Sequence, residues 1–160
     1  MDKPALHNCG EKSYQHIFIF HRGRDGDRIG HTEIMTIQEL IEKAAELQIS
    51  LSETQVKQLE QYAQLLVEWN EKMNLTAITE HGEILEKHFY DSILPLGKGK
   101  IFGKVADVGT GAGFPGLVWK IVKPELDVTL IEPTGKRCTF LEEVIHQLHL
   151  ENIHVYNTRA

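Results

Sequence analysis

Hydrophobic positions in the first part of the chain recur at helical spacing. Between residues 37 and 47, apolar side chains return every three or four positions, which predicts an amphipathic helix. Ser52-Glu53-Thr54-Gln55 has the pattern of a capping box and predicts the start of a second helix. A third stripe, at 84–93, predicts a helix that Pro95 ends. We therefore expect residues 35–96 to form a helical unit.

The period changes after the glycine- and lysine-rich stretch at 97–100. Short apolar runs now alternate with helical patterns, and the predicted elements are a strand at 105–108, a helix at 117–122, a strand at 128–131, a helix capped by Thr134 that runs to about 148, and a strand at 153–156. Strands that alternate with helices predict a parallel α/β sheet with right-handed crossovers. Residues 97–160 supply only half of a doubly wound domain. We therefore expect a bare apolar edge at strand 105–108, and infer that the chain is truncated.

Residues 1–34 show no helical or strand period that persists. We predict that they form a poorly structured extension and that Met35 is the natural start. Their longest apolar run, Ile17-Phe18-Ile19-Phe20, is too short for the core of a signal peptide.

Composition places the chain among ordinary globular proteins. Of its 160 residues, 41% are hydrophobic and 25% are charged. Cys9 and Cys138 lie far apart and form no disulfide framework, which favours a reducing compartment. No segment approaches the roughly 18 apolar residues of a membrane helix, so we expect a cytoplasmic protein without membrane contact. The formal net charge of −6 counts against a nucleic-acid partner, because phosphate binding needs clustered Lys and Arg.

The candidate chemistry centres on a glycine-rich stretch, Asp107-Val108-Gly109-Thr110-Gly111-Ala112-Gly113-Phe114-Pro115-Gly116, between a predicted strand and a predicted helix. Glycines let the backbone turn tightly and approach a ligand without a Cβ in the way. We expect the amides at the start of the helix to face the pocket. The alternative is a strand–turn–helix that has only a structural role and binds no ligand.

Two ligand templates fit this stretch. Gly111, Gly113 and Gly116 satisfy the spacing of a dinucleotide fingerprint. Gly109, Gly111 and Gly113, preceded by Asp107, fit the loop of methyltransferases that use S-adenosylmethionine. The acidic residue favours the second template, because a carboxylate at Asp107 can hold the amino-acid end of the methyl donor, often through water.

Glu132 ends the second predicted strand, twenty-one residues after Gly111. A carboxylate there can accept both ribose hydroxyls of either cofactor, although it could also be a solvated strand end. Pro133 and Thr134 would line the adenosine side.

Several motifs in order resemble the RsmG family, also called glucose-inhibited division protein B. They are Trp69-Asn70-Glu71-Lys72-Met73-Asn74-Leu75-Thr76-Ala77-Ile78, His88-Phe89-Tyr90-Asp91-Ser92, the stretch from Asp107 to Gly116, and Gly135-Lys136-Arg137. The resemblance covers about residues 35–160. It implies an α/β fold in which an N-terminal helical unit precedes the first half of a class I, Rossmann-like, S-adenosylmethionine-dependent methyltransferase sheet. It also implies methylation of N7 of a guanine in bacterial 16S ribosomal RNA, within the small ribosomal subunit or its precursor.

The resemblance assigns cofactor contacts to matching positions: Gly109, Phe114, Glu132, Pro133, Thr134 and Ala160. Arg159-Ala160 is similar to the start of an Arg-Ala-Glu segment at the adenine. The glutamate of that segment and a later family arginine are missing, so we expect cofactor affinity and activity to be impaired in this chain.

Methylation of N7 needs no deprotonation, because this nitrogen carries an exposed lone pair. We therefore predict no catalytic side chain, no metal, and catalysis largely by proximity and orientation. Lys136 and Arg137 are the preferred RNA contacts, because they lie close to the predicted pocket in sequence. Other basic candidates are Lys98, Lys100, Lys104, Lys120 and Lys123. We expect a monomer.

Three alternatives stay open on the sequence. The chain could be a fragment of an NAD-dependent oxidoreductase, since the dinucleotide fingerprint also fits. It could be a non-catalytic truncated product that binds neither cofactor. It could also methylate a small molecule or a protein, which its acidic charge would suit.

Overall fold

The computed structural model describes residues 35–78 and 80–159, and the backbone of a strand at 16–19. The predicted cofactor contact of Ala160 lies outside the described residues. So does most of the predicted extension at 1–34.

Two capped helices open the helical unit. Helix α1, Ile37–Glu46, begins after Thr36, whose hydroxyl accepts the Glu39 N–H at 3.2 Å. Helix α2 spans Glu53–Met73. Its capping box is present as predicted: the Ser52 hydroxyl accepts the Gln55 N–H at 3.1 Å, and the Gln55 side chain accepts the Ser52 N–H at 2.8 Å.

The third predicted helix is a composite run. It consists of helix α3 at His81–Glu83, a π-helical segment at Ile84–Tyr90, helix α4 at Asp91–Ile93 and a 3₁₀ segment at Leu94–Lys98. Regular α-helix ends before Pro95, as predicted, and the proline lies at the start of the 3₁₀ segment, where its missing N–H costs little. The π-helical segment was not predicted, because an apolar stripe does not distinguish α from π spacing over two turns.

A parallel sheet with the order β1-β2-β3-β4 forms the second layer. Its strands are β1 His16–Ile19, β2 Lys104–Val108, β3 Asp127–Glu132 and β4 Ile153–Asn157, and the crossover helices are α5 Gly116–Val122 and α6 Gly135–Gln147. The predicted α/β class, with a helical N-terminal part and a partial Rossmann-like sheet, is confirmed.

The expectation of a bare edge at β2 is wrong. Strand β1 pairs with it in parallel, from His16 opposite Val105 to Ile19 opposite Val108. A four-residue apolar run is too short to show a period, and nothing in the run itself identifies its partner strand. Pairing with β2 is therefore a property of the tertiary structure.

One hydrophobic core joins the helical unit to the sheet. Tyr62, Phe89 and Phe140 are fully buried, and the Tyr62 ring stacks on Phe89 with 5.3 Å between ring centroids. The Gln55 amide donates to the carbonyls of Ile121 and Val122 at 3.1 and 3.0 Å, so it satisfies the last turn of α5 from the start of α2. The boundary between residues 96 and 97 stays a prediction. Within the described part of the chain, no helix is long and apolar enough to cross a membrane.

Candidate functional site

The glycine loop leaves β2 at the carboxyl end of the sheet and leads into α5. Gly109 and Gly111 have positive φ angles of 73° and 61°, a region in which other residues are strained. A Cβ built on either glycine would meet no atom within 4 Å. The backbone is therefore open to a ligand at these two positions.

The other two glycines of the loop face neighbouring atoms. A Cβ at Gly113 would collide with Leu117 and lie 2.6 Å from the Tyr62 hydroxyl oxygen. A Cβ at Gly116 would collide with Leu130 and lie 2.8 Å from an oxygen of Asp107. A side chain at either position would force these neighbours to shift.

Asp107, near the end of β2, anchors the loop through its buried carboxylate. Its side chain is 1% exposed, and its Oδ2 accepts the Thr110 hydroxyl at 2.6 Å and the Gly116 N–H at 2.9 Å. The expectation that the first amide of α5 faces the pocket is wrong, because this carboxylate takes the Gly116 N–H, as a negative charge at a helix start favours. The predicted contact of Asp107 with the donor's amino-acid end stays a prediction.

Glu132 closes the loop from the end of β3. Its side chain is 2% exposed, and its Oε2 accepts the Gly111 N–H at 2.9 Å. Its Oε1 accepts the Thr134 N–H at 3.2 Å and lies 3.6 Å from Nη1 of Arg137. The structure thus brings together three predicted cofactor residues, Gly111, Glu132 and Thr134. Arg137, a predicted RNA contact, lies beside them.

The segment after β3 forms the exposed rim of the site. Pro133, Thr134 and Lys136 are exposed, and Arg137 is half-buried beside Glu132. Thr134 lies at the N-cap of α6, but its side chain makes no capping hydrogen bond, so the predicted cap is wrong in that respect. An exposed lysine and a half-buried arginine next to a buried carboxylate can reach an anionic ligand without entering the core.

Phe114 joins the loop to the helical unit. Its ring stacks on the His88 imidazole, with centroids 4.2 Å apart and planes 6° apart, and on the Tyr62 ring at 5.5 Å. The Tyr62 hydroxyl also donates to the Ala112 carbonyl at 2.5 Å. Sequence reasoning did not include Tyr62 and His88 in the site. One feature of the sequence could have identified them: the Tyr62 hydroxyl and the His88 ring nitrogens lie on the apolar faces of their helices, where a polar group needs a buried partner.

The remaining basic candidates lie away from the loop. Lys98, Lys100 and Lys104 lie just before β2 or at its first residue, the opposite end of that strand from Gly109. Lys120 is 3% exposed and donates to the carbonyls of Pro124 and Leu126, so the suggestion that it contacts RNA is wrong. Burial lowers the pKa of Lys120, and nearby carboxylates partly oppose that shift.

Known proteins resemble the chain over most of its length. The sequence profile of a family described as rRNA small subunit methyltransferase G matches residues 55–160. A protein named ribosomal RNA small subunit methyltransferase G from Streptococcus sanguinis (strain SK36) is 50% identical over 129 residues, which are 79% of this chain and 54% of that protein. The protein of the same name from Lactococcus lactis subsp. cremoris (strain SK11) is 49% identical over 129 residues, with the same coverage.

A third relative with that name, from Streptococcus pneumoniae serotype 19F (strain G54), is 51% identical over 119 residues, which are 72% of this chain and 50% of that protein. The chain spans about half the length of the curated relatives it matches. These matches confirm the resemblance seen in the motifs. The chain belongs to the rRNA small subunit methyltransferase G family.

Proposed function

We propose that this chain carries the methyl-donor site of an S-adenosylmethionine-dependent methyltransferase that acts on N7 of a guanine in small-subunit ribosomal RNA. The observation that carries the proposal is the pairing of the open loop at Gly109 and Gly111 with the buried Glu132 carboxylate, 2.9 Å from the Gly111 amide. The names of the relatives support the class of reaction and substrate.

The loop geometry favours a methyl donor over a dinucleotide. In the dinucleotide fingerprint, the second glycine lets the backbone approach the pyrophosphate. Here that glycine would be Gly113, whose Cβ side is filled by Leu117 and Tyr62. The positions left open are Gly109 and Gly111, the first two glycines of the methyltransferase template.

The residues of the site offer backbone access and hydrogen-bond acceptors that suit S-adenosylmethionine. Gly109 and Gly111 would admit the donor to the backbone. A carboxylate offers about four lone-pair sites, so Glu132 can accept ribose hydroxyls in addition to the two backbone amides it already holds. Pro133 and Thr134 would line the adenosine side. When bound, S-adenosylmethionine supplies an electrophilic methyl group.

The protein's contribution to the reaction is then mainly placement. Guanine N7 has a free lone pair, so no side chain has to remove a proton before transfer. Holding the base in line with the methyl group can account for a large part of the rate enhancement. A base within folded RNA must be splayed out to reach such a site. Lys136 and Arg137, on the rim beside Glu132, would contact the RNA backbone. The proposed enzyme is a cytoplasmic monomer that needs no metal.

Calorimetric titration with S-adenosylmethionine and with NAD tests the donor site. We expect heat of binding with S-adenosylmethionine and none with NAD. The variant Glu132→Gln should bind at least tenfold more weakly, because an uncharged amide is the poorer acceptor. Glu142→Gln, an identical change at an exposed position of α6, is the matched control and should bind normally. NAD binding, or unchanged affinity in Glu132→Gln, would contradict the assignment.

Methyl transfer is tested with tritium-labelled donor and small ribosomal subunits that lack the modification. A full-length relative from Streptococcus serves as the positive control, because this chain spans about half of such proteins. Label in 16S ribosomal RNA would identify the substrate. Chemical reduction followed by aniline treatment cleaves RNA at an N7-methylated guanine, so cleavage at one guanine would identify N7 as the methylated atom. Label in ribosomal protein, or no label with the full-length relative, would refute the proposed substrate. Donor binding without transfer by this chain would restrict the proposal to the methyl-donor site.

A further inference from the structure

The outer side of the glycine loop, which we define as the side at Ala112 and Phe114 that packs against the helical unit, is held by a side chain from α2. Tyr62 is fully buried, and its hydroxyl donates to the Ala112 carbonyl at 2.5 Å, across fifty residues of sequence. Its ring lies between Phe89 and Phe114, at centroid distances of 5.3 and 5.5 Å. The hydroxyl thus satisfies a loop carbonyl, while the ring belongs to the core.

A second side chain, from the π-helical segment, holds the next turn of the loop. The His88 ring lies flat against Phe114 at 4.2 Å, and its Nε2 is 2.9 Å from the Thr76 hydroxyl. The Thr76 N–H in turn donates to the Asn70 side chain at 2.8 Å. His88 is therefore held at the edge of its ring by the polar segment after α2, while one face of the ring lies against the loop. π-Helical turns are frequent at functional sites.

We propose that Tyr62 and His88 are positioning residues for the methyl-donor site, an inference that rests on the proposed function. Three glycines with positive φ, Gly109, Gly111 and Gly113, give the loop many alternative conformations. Bonds within the loop and to β3 fix its inner side, whereas Tyr62 and His88 fix Ala112 and Phe114 on the outer side. They keep the open face at Gly109 and Gly111 formed before the donor arrives, which removes an ordering cost from binding.

Tyr62→Phe tests this directly, because it removes one oxygen and leaves the ring stack in place. We expect the amide protons of Gly113 and Phe114 to exchange with solvent about five- to tenfold faster, from the loss of one buried hydrogen bond. Affinity for S-adenosylmethionine should fall by a similar factor. His88→Leu, which removes the stacked ring, should also speed exchange at Phe114. Val144→Ala, a change at a fully buried core position of α6, is the control for general destabilisation and should leave the affinity and the ratio of loop to global exchange unchanged.

The outcomes separate positioning from stability. The proposal is overturned if loop exchange in Tyr62→Phe matches that of the unchanged chain, or if Val144→Ala speeds loop exchange and weakens donor binding equally. Faster loop exchange with unchanged donor affinity also overturns it, because Tyr62 would then support the fold alone. If the unchanged chain shows no donor affinity, the proposed function fails, and the exchange comparison still decides whether Tyr62 and His88 order the loop.

Discussion

Replacing Glu132 with glutamine should weaken the fold as well as the site. Its carboxylate, 2% exposed, accepts one backbone N–H on each oxygen, from Gly111 and from Thr134. A glutamine side chain presents one oxygen and one amino group in the same space. One of the two backbone donors would therefore face another donor. Either the loop would lose one of its hydrogen bonds to β3, or the segment at the start of α6 would lose its bond from Thr134.

The magnitude follows from those contacts. Losing a hydrogen bond to a charged acceptor costs about 1.5–3 kcal/mol. The ion pair with Arg137, 3.6 Å away and 40% exposed on the arginine side, contributes at most about 1 kcal/mol. Neutralising a buried carboxylate recovers part of its desolvation cost. We therefore expect the free energy of unfolding to fall by about 2 kcal/mol.

Urea denaturation followed by tryptophan fluorescence measures this difference. The midpoint should fall in Glu132→Gln with little change in the slope, because the surface exposed on unfolding is the same. Glu142→Gln changes the same chemical group at an exposed position of α6 and should lie within about 0.5 kcal/mol of the unchanged chain. A loss below that limit in Glu132→Gln would show that the two backbone hydrogen bonds contribute no net stability.

Three further predictions test the packing and electrostatics around the site. Gly116→Ala should cost about 1–3 kcal/mol of unfolding free energy, because its Cβ would collide with Leu130. In Gly135→Ala, the new Cβ would make an ordinary contact with Asn157 at 3.5 Å, and the loss should be less than a third of that. Equal losses in the two variants would contradict the packing argument. Ser52→Ala should cost about 1 kcal/mol in urea denaturation by removing the cap of α2, and an unchanged midpoint would show that the capping box is dispensable. Burial and, secondarily, the Glu132 carboxylate raise the pKa of the Cys138 thiol. At pH 8, iodoacetamide should therefore alkylate Cys138 more slowly in the folded chain than in the chain unfolded by urea, and the folded-chain rate should rise at higher pH, as followed by peptide mass spectrometry. Equal rates in the folded and unfolded chain would refute this.

Local chemistry explains why much of the fold could be predicted. The capping box at Ser52 and Gln55 is a contact between residues three apart, so the sequence contains both partners. Crossover helices between short apolar strands leave few topologies open, which is why the parallel direction of β2, β3 and β4 was predictable. Asp107 was predicted to be a site residue, and that role stays a prediction. Its contacts with Thr110 and Gly116 depend on how tightly α5 packs on the strand, which spacing alone does not specify.

The amino-acid sequence by itself determined the class of the fold, the position of the glycine loop, the carboxylate at the end of β3 and the family. These features depend on neighbours in sequence or on a motif with fixed spacing. Only the tertiary structure decided that β1 covers the edge of β2, that Lys120 is buried, and that Tyr62 and His88 hold the loop. The pairing of β1 with β2 and the contacts of Tyr62 and His88 with the loop join residues far apart in the chain, and the burial of Lys120 depends on how the surrounding segments pack. None of these features is determined by neighbours in sequence or by a motif with fixed spacing.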